Sequence, residues 1–427
     1  MSDIREFVME QPLFCHHDHH HSYQDFDAGR GAYDHKALLG YATADLVTAA
    51  GPDVSPELAL DRLAEYWPLI RTTGYGRAVD LTSRALFGLE YAPGNFSEIT
   101  DALQDAISGR SAADIYHTYV HERAQNLWTI HDGNYNLAAK TAFRDDAYPS
   151  SYHFAFRIDA LLAPENGAVI ADLEHFTGLS IYTLDHLVDA LHLAIDMFHE
   201  TGRLAAVKIG MAYSRDLTVG DPTRHDAEAA FVRLRSRKTF WDGIQQNSAA
   251  VDATASRALG DYMFHRLIQR AADEGLPVQI HTGYLAGNWG SLAGTRALNL
   301  LPIFDKYRSV RFDLFHASWP WASELGAIAK NYPNVWADLC WAWAMNPAES
   351  ERALSEWLDG VPMNKIFGYG ADTRLPWCNV GYSLQAKEGI ARVLERKIAV
   401  GDFSERTAQE AAERIMLANG EEFYGLG

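Results

Sequence analysis

Two spacings of apolar positions alternate along most of this chain. One is the short, continuous apolar run of a buried strand. Such runs fall at 12–19, 126–132, 152–160, 204–212, 276–282, 310–316, 335–341 and 366–371. The other is the period of about 3.6 residues that marks an amphipathic helix. Thr183 to Thr201 shows it clearly. Thr183 caps the start, Leu184, Leu187, Val188, Leu191, Ile195 and Phe198 share a face, and Gly202 ends it. The same pattern predicts helices over 255–274, 292–308, 321–332, 348–358, 380–400 and 404–418. Between 34 and 122 the pattern is helical throughout, with 36–50 and 55–72 as examples. A glycine-containing stretch, Thr72 to Arg77, interrupts it and reads as a loop placed to cover a site.

Strands separated by helices lie parallel, and eight such units suggest a closed barrel. The expected fold is α/β, a (β/α)8 TIM barrel with a helical insertion after strand 1. Residues 1–33 and 123–427 form the barrel and 34–122 the insertion, with a short helix over 1–11 at the barrel bottom or against a neighbour. A doubly wound open sheet is the rival. No Gly-x-Gly-x-x-Gly follows an early strand, which counts against a dinucleotide-binding version.

Composition narrows the partners. The formal net charge of −19 argues against nucleic acid and anionic membrane surfaces. It leaves room for a small anionic substrate, because a local site can be basic on an acidic chain. Three cysteines (Cys15, Cys340, Cys378) without paired spacing fit a reducing compartment. The first residues carry no apolar signal core, and no apolar run reaches membrane-spanning length. A cytoplasmic homo-oligomer acting on a small molecule is the expectation. Five of the 18 histidines fall between positions 16 and 21, and that cluster points to chemistry.

In a strand, side chains at i and i+2 share a face, so His17 and His19 point together and Asp18 points away. Active sites of (β/α)8 barrels sit at the C-terminal ends of the strands. Polar residues collect there: His17 and His19 on the first strand, Lys208 on the fourth, His281 on the fifth, His316 on the sixth, Asp372 on the eighth. Each has a structural reading of its own: a hydrogen-bonded histidine, a lysine paired across the barrel mouth, a turn-forming aspartate. Independent structural residues have no reason to fall in that order. An alternative register would pair His19 with His21. His16, Asp18, His20 and His21 otherwise read as wall, support or loop.

In that order of motifs, from about Leu13 to Leu426, the chain resembles the amidohydrolase superfamily of metal-dependent (β/α)8 barrels. His316-Ala317-Ser318-Trp319-Pro320, Tyr332 to Leu339 and Ala418 to Gly425 are similar to the amidohydrolase-related group that includes decarboxylases and lactonases. The insertion and Phe156-Arg157-Ile158-Asp159 look more like uronate isomerases. The resemblance implies that His17, His19 and His281 are metal ligands. It makes His316 a ligand or substrate contact, and Asp372 a ligand and proton acceptor. Lys208 takes the position that is carboxylated and bridges two metals in binuclear members, and that has no such role in mononuclear ones.

Imidazoles and a carboxylate suit a divalent metal, with Zn²⁺ expected, as one ion or two. A bound ion lowers the pKa of its water to about 7, and Asp372 can take and return the proton while His316 polarises a carbonyl. Arg157, Arg215 and Arg374 lie at or past strand ends and can clamp a carboxylate. Arg157 and Asp159 can equally satisfy each other. Tyr213 and Trp341 can line the pocket. The preferred function is a metal-dependent hydrolase that activates water against an amide, lactone or related bond of a small polar, carboxylate-bearing substrate. Uronate isomerisation and non-oxidative decarboxylation are the alternatives on the same site. Against isomerisation, Trp341 to Pro347 lacks the Asn-Asp pair that follows the tryptophan-rich run of the isomerases.

Overall fold

All eight predicted runs are strands of one parallel sheet, in chain order: β1 Leu13–Asp18, β2 Asn126–His131, β3 Tyr152–Arg157, β4 Leu204–Ile209, β5 Val278–Ile280, β6 Phe312–Leu314, β7 Val335–Asp338 and β8 Ile366–Phe367. The computed structural model describes residues 4–132, 147–165, 167–236 and 253–427. Past the paired segments the two edges meet. The His16 N–H donates to the Tyr369 carbonyl at 3.1 Å and the Asp372 N–H to the His17 carbonyl at 2.9 Å. The sheet therefore closes into the predicted (β/α)8 barrel. The later strands are shorter than their apolar runs because the chain turns sharply at their ends. His316, Trp341 and Asp372 all take left-handed φ values, +67°, +60° and +56°, which non-glycine residues adopt only when their surroundings impose it.

The strand register shifts at three places: between Leu13 and Phe14 and between Cys15 and Asp18 in β1, and between Phe154 and Ala155 of β3 against β4. The second of these bears on the site. Cys15 pairs with Thr129 and Asp18 with His131, so β1 has one residue more than β2 between those two pairs. Such a bulge lets two consecutive side chains face one way. His16 and His17 are those two, and both lie inside the barrel. Below them the interior is apolar: Phe14, Ile130, Ala155, Ala206 and Phe367 pack with Phe423 and Tyr424 of the helix Asn419–Tyr424. Phe14 stacks on Tyr424 with ring centroids 5.4 Å apart. This plug shuts one end of the barrel, and the strand C-termini form the other.

Several helix expectations change in detail. The helix Ile4–Glu10, just before β1, packs on the helices Cys378–Ala399 and Glu405–Glu413. The stretch 36–50 is a short turn, His35–Leu38, and a helix, Ala42–Ala50, broken at Gly40 with φ +48°. The segment 55–72 is two helices, Pro56–Asp61 and Leu63–Ile70. Thr72 to Arg77 is not a covering loop. Thr73 caps the helix Gly74–Phe87, its hydroxyl accepting the Gly76 N–H at 3.1 Å. Gly74 is needed because a Cβ there would stand 2.2 Å from the Ala344 carbonyl oxygen. Close packing, not mobility, explains this glycine. Among the described residues no helix is long and apolar enough to cross a membrane.

Candidate active site

The barrel brings the six strand-end residues into one buried cluster. The His17 and His19 Nε2 atoms are 3.1 Å apart, and His19 Nε2 is 3.2 Å from Asp372 Oδ1. On the facing side His316 Nε2 is 3.0 Å from His281 Nδ1 and 3.8 Å from Asp372 Oδ2. The pairing of His17 with His19, rather than His19 with His21, is the one the structure forms.

Backbone carbonyls set the tautomers. A carbonyl only accepts, so a ring nitrogen against one must carry the proton. Asp132 oxygen faces His19 Nδ1 at 2.5 Å, Cys340 oxygen faces His316 Nδ1 at 3.0 Å, and Tyr284 oxygen faces His281 Nε2 at 2.8 Å. In the neutral rings, His316 Nε2 and His281 Nδ1 thus turn lone pairs toward each other. Lone pairs 3.0 Å apart repel unless a cation lies among them. Ligand atoms ~2.1 Å from one Zn²⁺ and ~90–110° apart stand ~3.0–3.4 Å from each other. The spacings and the outward N–H···O=C contacts both fit a metal-holding set. His17, His19 and Asp372 converge as one set of candidate ligands; His316, Cys340 and Asp372 converge as another.

Burial and charge tune the groups. Burial holds the His17 and His281 rings well below the usual imidazole range and His316 at about 4, so all three are neutral. For Asp372, burial pushes upward, but the hydrogen bond with His19 and the nearby charge of Lys208 outweigh it and keep the carboxylate ionised. Burial lowers Lys208 to about 8, against the pull of Asp132. Its ammonium nitrogen has no hydrogen-bond partner among the described residues and sits 3.7 Å from the Phe315 ring centroid.

Asp18 turns away from the cluster, as alternation requires. Its Oδ1 accepts the N–H groups of His19 at 3.1 Å and Thr373 at 2.6 Å, and its Oδ2 accepts Asn379 Nδ2 at 3.0 Å. It therefore ties the end of β1 to the segment carrying Asp372. His20 joins the same network, with Nε2 3.2 Å from Asp18 Oδ2.

The cluster floors a chamber of about 280 Å³, lined also by Tyr41, Arg157, Tyr213 and Arg374. Arg157 is held on two carboxylates: Nε donates to Asp159 at 2.6 Å and Nη1 to Asp132 at 2.8 Å. Gly210 makes room for it, since a Cβ there would stand 2.1 Å from Arg157 Nη2. Arg215 pairs with Asp261 at 2.5 Å and lines a neighbouring hollow instead. Arg374 is exposed at the rim, and no side-chain hydrogen bond or ion pair engages it among the described residues. Tyr213 stands at the rim, its hydroxyl accepting the Ala286 N–H at 3.2 Å. Trp341 lies behind the wall, 5.1 Å from the His316 ring and 4.8 Å from Tyr41.

Two side chains at the centre escape sequence reasoning. Asp132 follows β2, with Oδ2 3.8 Å from His17 Nε2; its strand-end position was the available signal. Tyr41 lies within the helical stretch after β1 and donates to Asp372 Oδ1 at 3.0 Å. No local pattern marks it.

A model of the amidohydrolase family matches residues 205–426, just over half of the chain. The chain belongs to the amidohydrolase family. This amidohydrolase is also 26% identical over 204 residues to Protein fluG of Emericella nidulans, 44% of the chain but 22% of that protein. It thus spans less than a quarter of the length of that curated relative. Its fold matches the glucuronate isomerase of Caulobacter crescentus with a TM-score of 0.74 at 16% identity, covering 99% of this chain and 93% of that one. The uronate isomerase of Thermotoga maritima gives 0.74 at 14%, covering 99% and 96%. A provisionally named metal-dependent hydrolase of Lactobacillus casei gives 0.66 at 15%, covering 100% and 98%.

Proposed function

We propose that this amidohydrolase is a metal-dependent hydrolase that cleaves an amide, lactone or related bond in a small, carboxylate-bearing substrate. The observation that carries the reading is Lys208. A lysine buried to 2% exposure, with its pKa lowered to about 8, has the Phe315 ring and the pull of Asp132 against its desolvation but, among the described residues, no hydrogen-bonded role as an ammonium. It has one as a carbamate. Such a carbamate would form when the neutral amine adds carbon dioxide, making an N–C bond and losing one N–H proton, and its carboxylate would be available to ions held by the histidine sets. His17, His19 and Asp372 would hold one ion, and His281 and His316 the other, with zinc expected.

When bound, the ions supply Lewis acidity toward the scissile carbonyl and acidify water near neutral pH. Asp372 stays ionised, accepts a proton only from a group made acidic, and passes it to the leaving group. Tyr41 fixes the Asp372 rotamer through Oδ1. His19, held by the Asp132 carbonyl, keeps Nε2 aimed inward. Arg157 holds Asp132 in place, and Arg374 receives the substrate carboxylate.

Sugar-acid isomerisation is the second reading. It is supported by a fold likeness to uronate isomerases that includes the helices after β1, which bring Tyr41 onto Asp372. Elemental analysis with assays on N-acyl amino acids, lactones and uronates separates the two. Two metals per chain, bicarbonate-dependent loading and hydrolysis are expected. One metal with uronate isomerisation and no hydrolysis overturns the proposal.

A further inference from the structure

The inner chamber adjoins a larger one, about 460 Å³ against about 280 Å³. Tyr41, Ala286 and Arg374 border both and form the neck. The inner chamber falls just under the ~300–1,000 Å³ of sites that enclose a whole drug-sized ligand. It has room for the reacting group of an extended substrate, and the rest must lie outward.

The lining of the outer chamber is selective. Arg374 at the neck and Lys36 farther out are basic, and no Asp or Glu is among the residues lining it. On a chain with 56 acidic and 37 basic residues, an acid-free site with two cations is a local reversal of charge. Lys36 has Asp61 at 3.9 Å, but that carboxylate is 74% exposed, and a solvated pair so loosely held competes weakly for the ammonium. Ala37, Leu375 and Tyr382 contribute apolar surface to the same chamber. The polar groups of His21, Thr43 and Thr373 share the lining, and the apolar part suits an aliphatic side chain.

We propose that the outer chamber is a binding subsite for the amino-acid half of an N-acylated amino acid with an apolar side chain. The carboxylate meets Arg374 with Lys36 behind it, the side chain lies on Ala37, Leu375 and Tyr382, and the amide carbonyl points through the neck toward Asp372. The proposal rests on the hydrolase reading for the bond that is cut, and on the chamber alone for the anion contact.

The test compares racemic N-acetylleucine, N-acetylleucinamide and N-acetylglycine on the metal-loaded protein, by calorimetric binding and by turnover. N-acetylleucine is expected to bind at least about tenfold tighter than either of the others. Lys36→Met and Arg374→Met should each shrink its advantage over the amide severalfold without weakening the amide. Equal binding of acid and amide overturns the subsite. So does an acid preference that survives both substitutions, because the carboxylate then sits on the metal. Selective binding without hydrolysis overturns the hydrolase reading and leaves the subsite standing.

Discussion

Two polar layers lie one above the other inside the barrel, and neighbouring residues of one strand belong to different layers. His17 joins the upper layer with His19, Lys208, His281, His316 and Asp372. His16 joins the lower one with Gln279, Asp313, Asp338 and Tyr424. Its Nδ1 is 3.8 Å from Asp313 and 3.9 Å from Asp338. Tyr424 donates to Asp313 Oδ2 at 2.7 Å, and Gln279 Nε2 donates to the Tyr424 hydroxyl and the His16 carbonyl, both at 2.8 Å. Burial, with Asp313 beside it, pushes the Asp338 carboxyl far above its ordinary range, so the lower layer sheds charge by keeping a proton. The upper layer keeps charge and opposes it, Asp132 against Arg157. Both layers are buried and both hold histidine and aspartate. What separates them is access. The lower is sealed by Phe423 and Tyr424, whereas the upper opens into two chambers. Residue type and burial alone do not identify a reacting centre.

The sharpest way to break this contrast is to exchange the fates of the two histidines. His17→Ala should lose metal and roughly 10³-fold or more in kcat/KM, with the thermal unfolding transition retained. His16→Gln should keep its metal content and stay within about tenfold of wild-type activity. Equal metal loss in both, by elemental analysis, would merge the layers. The next largest effect separates two arginines of the upper chamber. Arg157→Met leaves Asp132 and Asp159 without their cation and should cost about 3–5 kcal/mol in denaturant unfolding. Arg374→Met, at the exposed rim, should stay within about 0.5 kcal/mol. Tyr424→Phe probes the lower layer alone. It removes one donor and one acceptor and should cost about 1–3 kcal/mol while activity changes less than about threefold.

The smallest effect is a pH slope in the metal-free protein. Burial lowers Lys208 to about 8 in the folded chain, against the 10.5 of a free lysine side chain. Between those pH values the unfolded chain binds more protons at this site. Its contribution therefore makes stability rise with pH across that window, by at most about 1.4 kcal/mol per pH unit. Lys208→Met should flatten the wild-type curve by that increment from about pH 8 upward. A wild-type and variant difference constant with pH would deny the depressed amine.

Much of the site was legible because its residues occupy positions that strand periodicity predicts. His17, His19, Lys208, His281, His316 and Asp372 each follow or end an apolar run, so locating the strands located them. Arg157 was legible as a strand-end arginine but not as one locked between two aspartates, because Asp132 comes from another strand. Arg215 looked equivalent to Arg374, yet one is paired with Asp261 and the other faces a chamber. Tyr41 could not be found, since nothing near it in sequence indicates that it will meet a carboxylate more than three hundred residues away.

By itself the sequence determined the eight strands, their parallel order and the ring of polar residues at their C-terminal ends. Those follow from local hydrophobic period, which backbone geometry converts directly into strands and faces. Only the tertiary structure decided the bulge that admits His16 beside His17, the imidazole tautomers set by the carbonyls of Asp132, Tyr284 and Cys340, the engaged and free arginines, and the outer chamber. Each depends on a partner brought in from another element, and no spacing within one element records which partner that will be.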